Sequence, residues 1–94
     1  MTRLEIIEIR TTGNNRDDLE RFLKNWQAEV KAKVKTASVK IYQQAGLETD
    51  YSVHLRYDPD TTETEYRVLG ERLVSDLKEF GLVNHTVWME KNFL

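Results

Sequence analysis

Hydrophobic and polar residues along this chain switch several times between a two-residue and a 3.6-residue period, and each switch marks the start of a new element. Leu4 to Thr11 alternates and is rich in isoleucine, which predicts a strand. Glu5, Ile7, Ile9 and Thr11 share one of its faces, and Leu4, Ile6, Glu8 and Arg10 share the other. Gly13-Asn14-Asn15 signals a turn, with Asn14 or Asn15 placed to cap a helix. Leu19, Phe22, Leu23, Trp26 and Val30 then recur at helical spacing. Asp17 and Asp18 open that helix and Lys31, Lys33 and Lys35 close it, as its dipole favours.

Two further alternating runs predict a hairpin. With Gln44 opposite Asp50 across an Ala45-to-Thr49 loop, Tyr42 faces Ser52, Lys40 faces His54 and Ser38 faces Arg56. In the same register Ile41 faces Val53 and Val39 faces Leu55, so both apolar rows fall on one side. After Asp58-Pro59-Asp60, Thr62 and Glu65 have the spacing of a capping box. Tyr66, Leu69, Leu73, Leu77 and Phe80 form a second helical stripe, with Gly81 as its C-terminal stop. Gly70 inside this helix predicts close packing on the sheet or on a partner helix. A last strand spans Asn84 to Glu90, with His85, Val87 and Met89 on one face and Thr86, Trp88 and Glu90 on the other.

The order β-α-β-β-α-β predicts an α+β fold, a ferredoxin-like sandwich occupying residues 1–94 as a single domain. Its four-stranded antiparallel sheet has the order 4-1-3-2, with both helices on one face. The face they leave bare mixes Leu4, Ile6, Tyr42 and Trp88 with Glu8, Arg10, Lys40, His54, Arg56 and Glu90. It is too apolar for a solvated surface and too charged for a plain core. Such a face suits two sheets meeting around a partly polar cavity, or a wet interface with charge pairs at its rim. A domain of this size buries only about two-thirds of its unfolded surface, so association with a second copy extends a modest core. The tail Asn92 to Leu94 is a further element able to reach a partner.

Composition narrows the choice of function. The net charge of -2 and the lack of an RNP-type run argue against nucleic acid as a partner. The chain has no cysteine, which excludes disulfides, thiolate metal sites and a cysteine nucleophile. Two histidines far apart in sequence do not make a metal site, and no phosphate-cradling glycine loop or dinucleotide fingerprint is present, so no metal or cofactor is expected. The segment MTRLEIIEIR is too interrupted by charge for a signal peptide or membrane span, which points to a cytoplasmic protein without a membrane partner.

The order of elements, the length and the segment from Leu73 to Trp88, ending in FGLVNHTVW, resemble the dimeric α/β-barrel superfamily. That group includes antibiotic-biosynthesis-monooxygenase-like and stress-responsive barrel proteins. The resemblance implies a homodimer whose sheets close into a barrel, with a ligand pocket inside the barrel or between sheet and helices. In the cofactor-independent monooxygenases of the group, a first-strand asparagine, a tryptophan and a histidine line the pocket. The first strand here has no asparagine, and Trp88 and His85 do not fall at matching positions.

The candidate site residues follow from the bare face. His54 lies mid-strand beside Lys40 and Arg56, cations that favour the neutral imidazole a general base requires. His85 at the start of the last strand is a second candidate base. Arg10, Lys40, Tyr42, Arg56 and Trp88 are candidate ligand-binding residues for a small anionic or aromatic molecule. Glu8 and Glu90 are read as cross-strand partners of Arg10, Arg56 or Lys40. Three functions are compatible with this pattern: a small-molecule-binding homodimer, a monooxygenase-like or isomerase-like enzyme using a histidine base, and a regulatory ligand-binding module.

Overall fold

The computed structural model describes residues 2–93. Strand β1 (Arg3–Thr11) leads through a single 3₁₀ turn (Gly13–Asn15) into helix α1 (Arg16–Lys33). Strands β2 (Ala37–Gln44) and β3 (Leu47–Tyr57) form the hairpin, followed by α2 (Glu63–Leu77) and β4 (Gly81–Met89). The antiparallel sheet has the order β2-β3-β1-β4, the predicted arrangement read from its other edge.

Alternation decides which side of each strand meets the helices. Ile7 and Ile9 of β1 and Tyr51, Val53, Leu55 and Tyr57 of β3 are buried against Leu19 and Leu23 of α1 and Leu73 and Leu77 of α2. Removing these side chains from water is the main term favouring the fold. Phe22 and Phe80 close one end of the helix layer with ring centroids 5.5 Å apart. The Thr62–Glu65 capping box is formed in full: the Thr62 hydroxyl accepts from the Glu65 N–H, and the Glu65 carboxylate accepts from the Thr62 N–H.

Four local expectations are corrected. The β2–β3 register holds from Ala37 to Gln43, but Gln44 pairs with Leu47 rather than Asp50. The strands run on to a two-residue connection, and an irregularity at Gln43/Gln44 absorbs the offset. Neither Asn14 nor Asn15 caps α1 through its side chain; the 3₁₀ turn precedes the helix instead. Helix α2 ends at Leu77, and Gly81 begins β4 opposite Thr11 rather than stopping the helix. A Cβ at Gly81 would stand 2.0 Å from the Arg10 carbonyl oxygen, so close backbone approach explains this glycine. β4 therefore starts three residues before Asn84 and ends one before Glu90.

Candidate functional site

The bare face of the sheet is arranged in rows that cross all four strands. One row reads Ser38, Arg56, Leu4, Trp88, and the next reads Lys40, His54, Ile6, Thr86. A third reads Tyr42, Ser52, Glu8, Asn84. Asp50, Arg10 and Leu82 lie in line at the far end.

Four of the candidate residues come together on the β2–β3 side. Lys40, Tyr42, His54 and Arg56 line a shallow depression of about 200 Å³ with Leu4 and Ser38. Within it His54 is half-buried, its Nε2 is 3.0 Å from the Ser52 hydroxyl, and its ring centroid lies 4.8 Å from that of Tyr42. Neither Lys40 nor Arg56 forms an ion pair among the described residues, although the Glu90 carboxylate feels the Arg56 charge.

The other candidates are dispersed. Trp88 shares a row with Arg56 but stands two strands away on the edge, 57% exposed, with its indole N–H donating to the Thr86 hydroxyl at 2.9 Å. Arg10 is three rows from Arg56, about 20 Å along the strand at 3.3 Å per residue. Its guanidinium donates twice to Asp50, each bond 2.9 Å long, and holds the Asp50 carboxyl below its ordinary range. Arg10 helps to line a wider depression of about 520 Å³ with Glu8, Tyr42, Ser52, Leu82 and Asn84. Glu8 and Glu90 do not take the partners expected of them. Glu8 accepts a long bond from the Asn84 amide at 3.4 Å, and Glu90 accepts from the Thr2 N–H at 3.1 Å beyond the end of β4.

His85 points the other way. It pairs with Ile7, on the side of the sheet that the helices cover, so the two histidines cannot serve one site within a subunit. There it meets Glu5, a charged residue in an otherwise apolar row and one that sequence reasoning passed over. Glu5 is 2% exposed. Its Oε2 accepts from the Tyr57 hydroxyl at 2.5 Å, and its Oε1 lies 3.0 Å from His85 Nε2 and 3.7 Å from the Arg3 guanidinium. The Arg3 guanidinium in turn sits 3.9 Å above the Tyr66 ring. Burial, and then the Glu5 carboxylate, push the Tyr57 hydroxyl far above the usual tyrosine range, so it remains a donor. Gly70 was the available signal: a Cβ there would lie 2.6 Å from both Glu5 oxygens, so the glycine makes room for the carboxylate.

Among the described residues no three His, Asp or Glu side chains converge as a metal site, and no helix is long and apolar enough to cross a membrane. No family model and no curated protein matches the sequence. Solved structures do match. The Rv0793 protein of Mycobacterium tuberculosis superposes with a TM-score of 0.78 at 16% identity, covering 98% of this chain and 97% of that one. A conserved protein from Methanosarcina mazei Go1 gives 0.77 at 10% identity, over 97% and 94%. An antibiotic biosynthesis monooxygenase gives 0.70 at 11% identity over the whole of both chains. The ferredoxin-like fold is shared with these structures, an antibiotic biosynthesis monooxygenase among them. At these identities the likeness is one of architecture, and function must be argued from the side chains.

Proposed function

We propose that the protein is a homodimer in which two bare sheet faces meet as an α/β barrel and bind a small, flat, anionic molecule between them. The observation that carries this reading is the composition of the face. Leu82 is 78% exposed and Trp88 57%, while Leu4 and Ile6 lie half-buried beside them. Apolar side chains gathered on one sheet face mark an interaction surface. The charges among them keep that surface from closing as a dry core. In the depression around His54, Lys40 and Arg56 supply positive charge without an ion-pair partner among the described residues, while Tyr42 supplies an aromatic wall. An aromatic carboxylate complements both features.

The test is thermal shift with 2-naphthoate as the probe. A ligand at about 100 times its Kd adds about 2.7 kcal/mol of stability, enough to raise the melting temperature by several degrees. The expected shift disappears in the Lys40→Ala/Arg56→Ala double variant. A shift retained in that variant, or none at millimolar probe, refutes the binding site.

A second reading is a cofactor-independent monooxygenase-like or isomerase-like enzyme with a histidine base. It is favoured by the described activity of one structural neighbour, an antibiotic biosynthesis monooxygenase, and by the placement of His54 inside the depression. Loss of turnover on a candidate substrate in His54→Ala, with ligand affinity retained, supports this second reading over binding alone.

A further inference from the structure

The cluster around Glu5 lies on the opposite side of the sheet from the chamber proposed above, and nothing in that proposal uses it. Glu5 is sealed from water, but the His85 side chain is not. The latter is 29% exposed, because β4 is an edge strand that the helices cover incompletely. The imidazole is thus the part of the cluster that a solute can reach. Its Nε2 is taken by Glu5, and it makes no other hydrogen bond among the described residues. An imidazole that donates its Nε2 proton to a carboxylate carries its lone pair on Nδ1.

The cluster around Glu5 draws on three elements. Arg3 and Glu5 come from β1, Tyr57 from β3, and Tyr66 and Gly70 from α2. Tyr57 holds one carboxylate oxygen while the other is left for His85, and Gly70 fixes how far the carboxylate can retreat. Beyond His85 on the same face of β4, Val87 is 42% exposed and Met89 49%. Residues two apart on a strand are spaced by about 6.6 Å, so these side chains form an apolar ledge beside the ring.

We propose that Glu5 and His85 form a proton-accepting dyad, in which His85 Nδ1 removes a proton from a flat, apolar carbon acid resting on the Val87–Met89 ledge. His85 is the catalytic residue and Glu5 the positioning residue. The site is complete within one subunit, so it stands or falls apart from the barrel.

The chemistry can be tested with 5-nitrobenzisoxazole, a flat carbon acid whose ring opens on loss of one proton. Nδ1 takes the C3 proton and the C–H electron pair becomes a new C–N π bond. The N–O bond breaks onto oxygen, which yields a coloured cyanophenolate, and the imidazolium returns its proton to water. We expect ring opening at least about 100-fold faster than with equimolar free imidazole, the lower range for a positioned general base. His85→Gln abolishes the excess rate, and Glu29→Gln on the far surface of α1 leaves it unchanged. Glu5→Gln lowers kcat about tenfold with KM unchanged. A rate no better than free imidazole, or an excess rate that survives His85→Gln, overturns the proposal. Should Glu5→Gln fail to fold, the ¹⁵N shifts of His85 in the intact protein at pH 8 decide the positioning role. A protonated Nε2 with a bare Nδ1 supports it, and the opposite tautomer overturns it.

Discussion

The two faces of the sheet are built from the same strands, one residue in two going to each, and they handle polar groups in opposite ways. On the helix-covered face the exceptional residue is a charge, Glu5, and it is met inside the chain by Tyr57, His85 and Arg3. On the bare face the charges are at ease beside water, and the exceptional residues are Trp88, Leu82 and Tyr42, which the subunit does not bury. A buried polar group is costly unless it is paired, so the chain supplies its partners itself. An exposed apolar group on a surface costs only the burial it forgoes, which a second molecule can supply.

The covered face is the more sensitive of the two to substitution. Leu73 is fully buried between α2 and the sheet, and Leu73→Ala should cost about 2–5 kcal/mol, read as a lower urea midpoint. Gly70→Ala is the sharper test. A methyl there improves helix propensity by about 1 kcal/mol but displaces a carboxylate whose lost hydrogen bonds cost about 1–3 kcal/mol. We expect the loss to prevail, with a net destabilisation of up to about 2 kcal/mol. A stabilised Gly70→Ala would mean that the Glu5 cluster is not held tightly.

The same cluster predicts a pH limit. Tyr57 is held protonated in the folded chain, so the unfolded chain releases its proton first, from about pH 10 upward. Stability should be unaffected by this group below pH 10 and fall above it by up to about 1.4 kcal/mol per pH unit. Tyr51, pushed up to about 12 by burial and by Glu20, adds to the decline in the same direction. Tyr57→Phe should flatten the alkaline limb of a melting-temperature profile.

Smaller effects belong to the surface. Thr62→Ala removes the capping box and should cost about 1 kcal/mol. Arg10→Ala breaks an exposed ion pair on the bare face and should leave the urea midpoint of the subunit unmoved at physiological salt.

Much of the fold was legible because alternation is a strong signal when one side of a sheet is buried. A one-residue slip would turn Val39 and Ile41 away from the face that Val53 and Leu55 share, and the register read from them carries the β2–β3 pairing as far as Gln43. The end of the hairpin was not legible, because Gln43 and Gln44 are exposed and no apolar pattern opposes a slip there. Gly81 misled for a related reason: a glycine after a helical stripe fits a helix stop, and only the approach of the Arg10 carbonyl reveals its use in a strand. Of the candidate site, His54, Lys40, Tyr42 and Arg56 were brought together by the register alone, whereas Arg10 shares their face but not their neighbourhood. Glu5 was missed because a charge in an apolar row ordinarily turns toward water, and its partners Tyr57 and His85 are 52 and 80 residues away in sequence.

The proposed barrel requires a second chain covering the bare face. Sedimentation equilibrium at about 50 μM, together with the variant Ile6→Glu, addresses this directly. The wild-type protein should sediment at twice the 11.1 kDa of one chain, and Ile6→Glu should sediment as a folded single chain. A wild-type mass of 11.1 kDa under these conditions would contradict it.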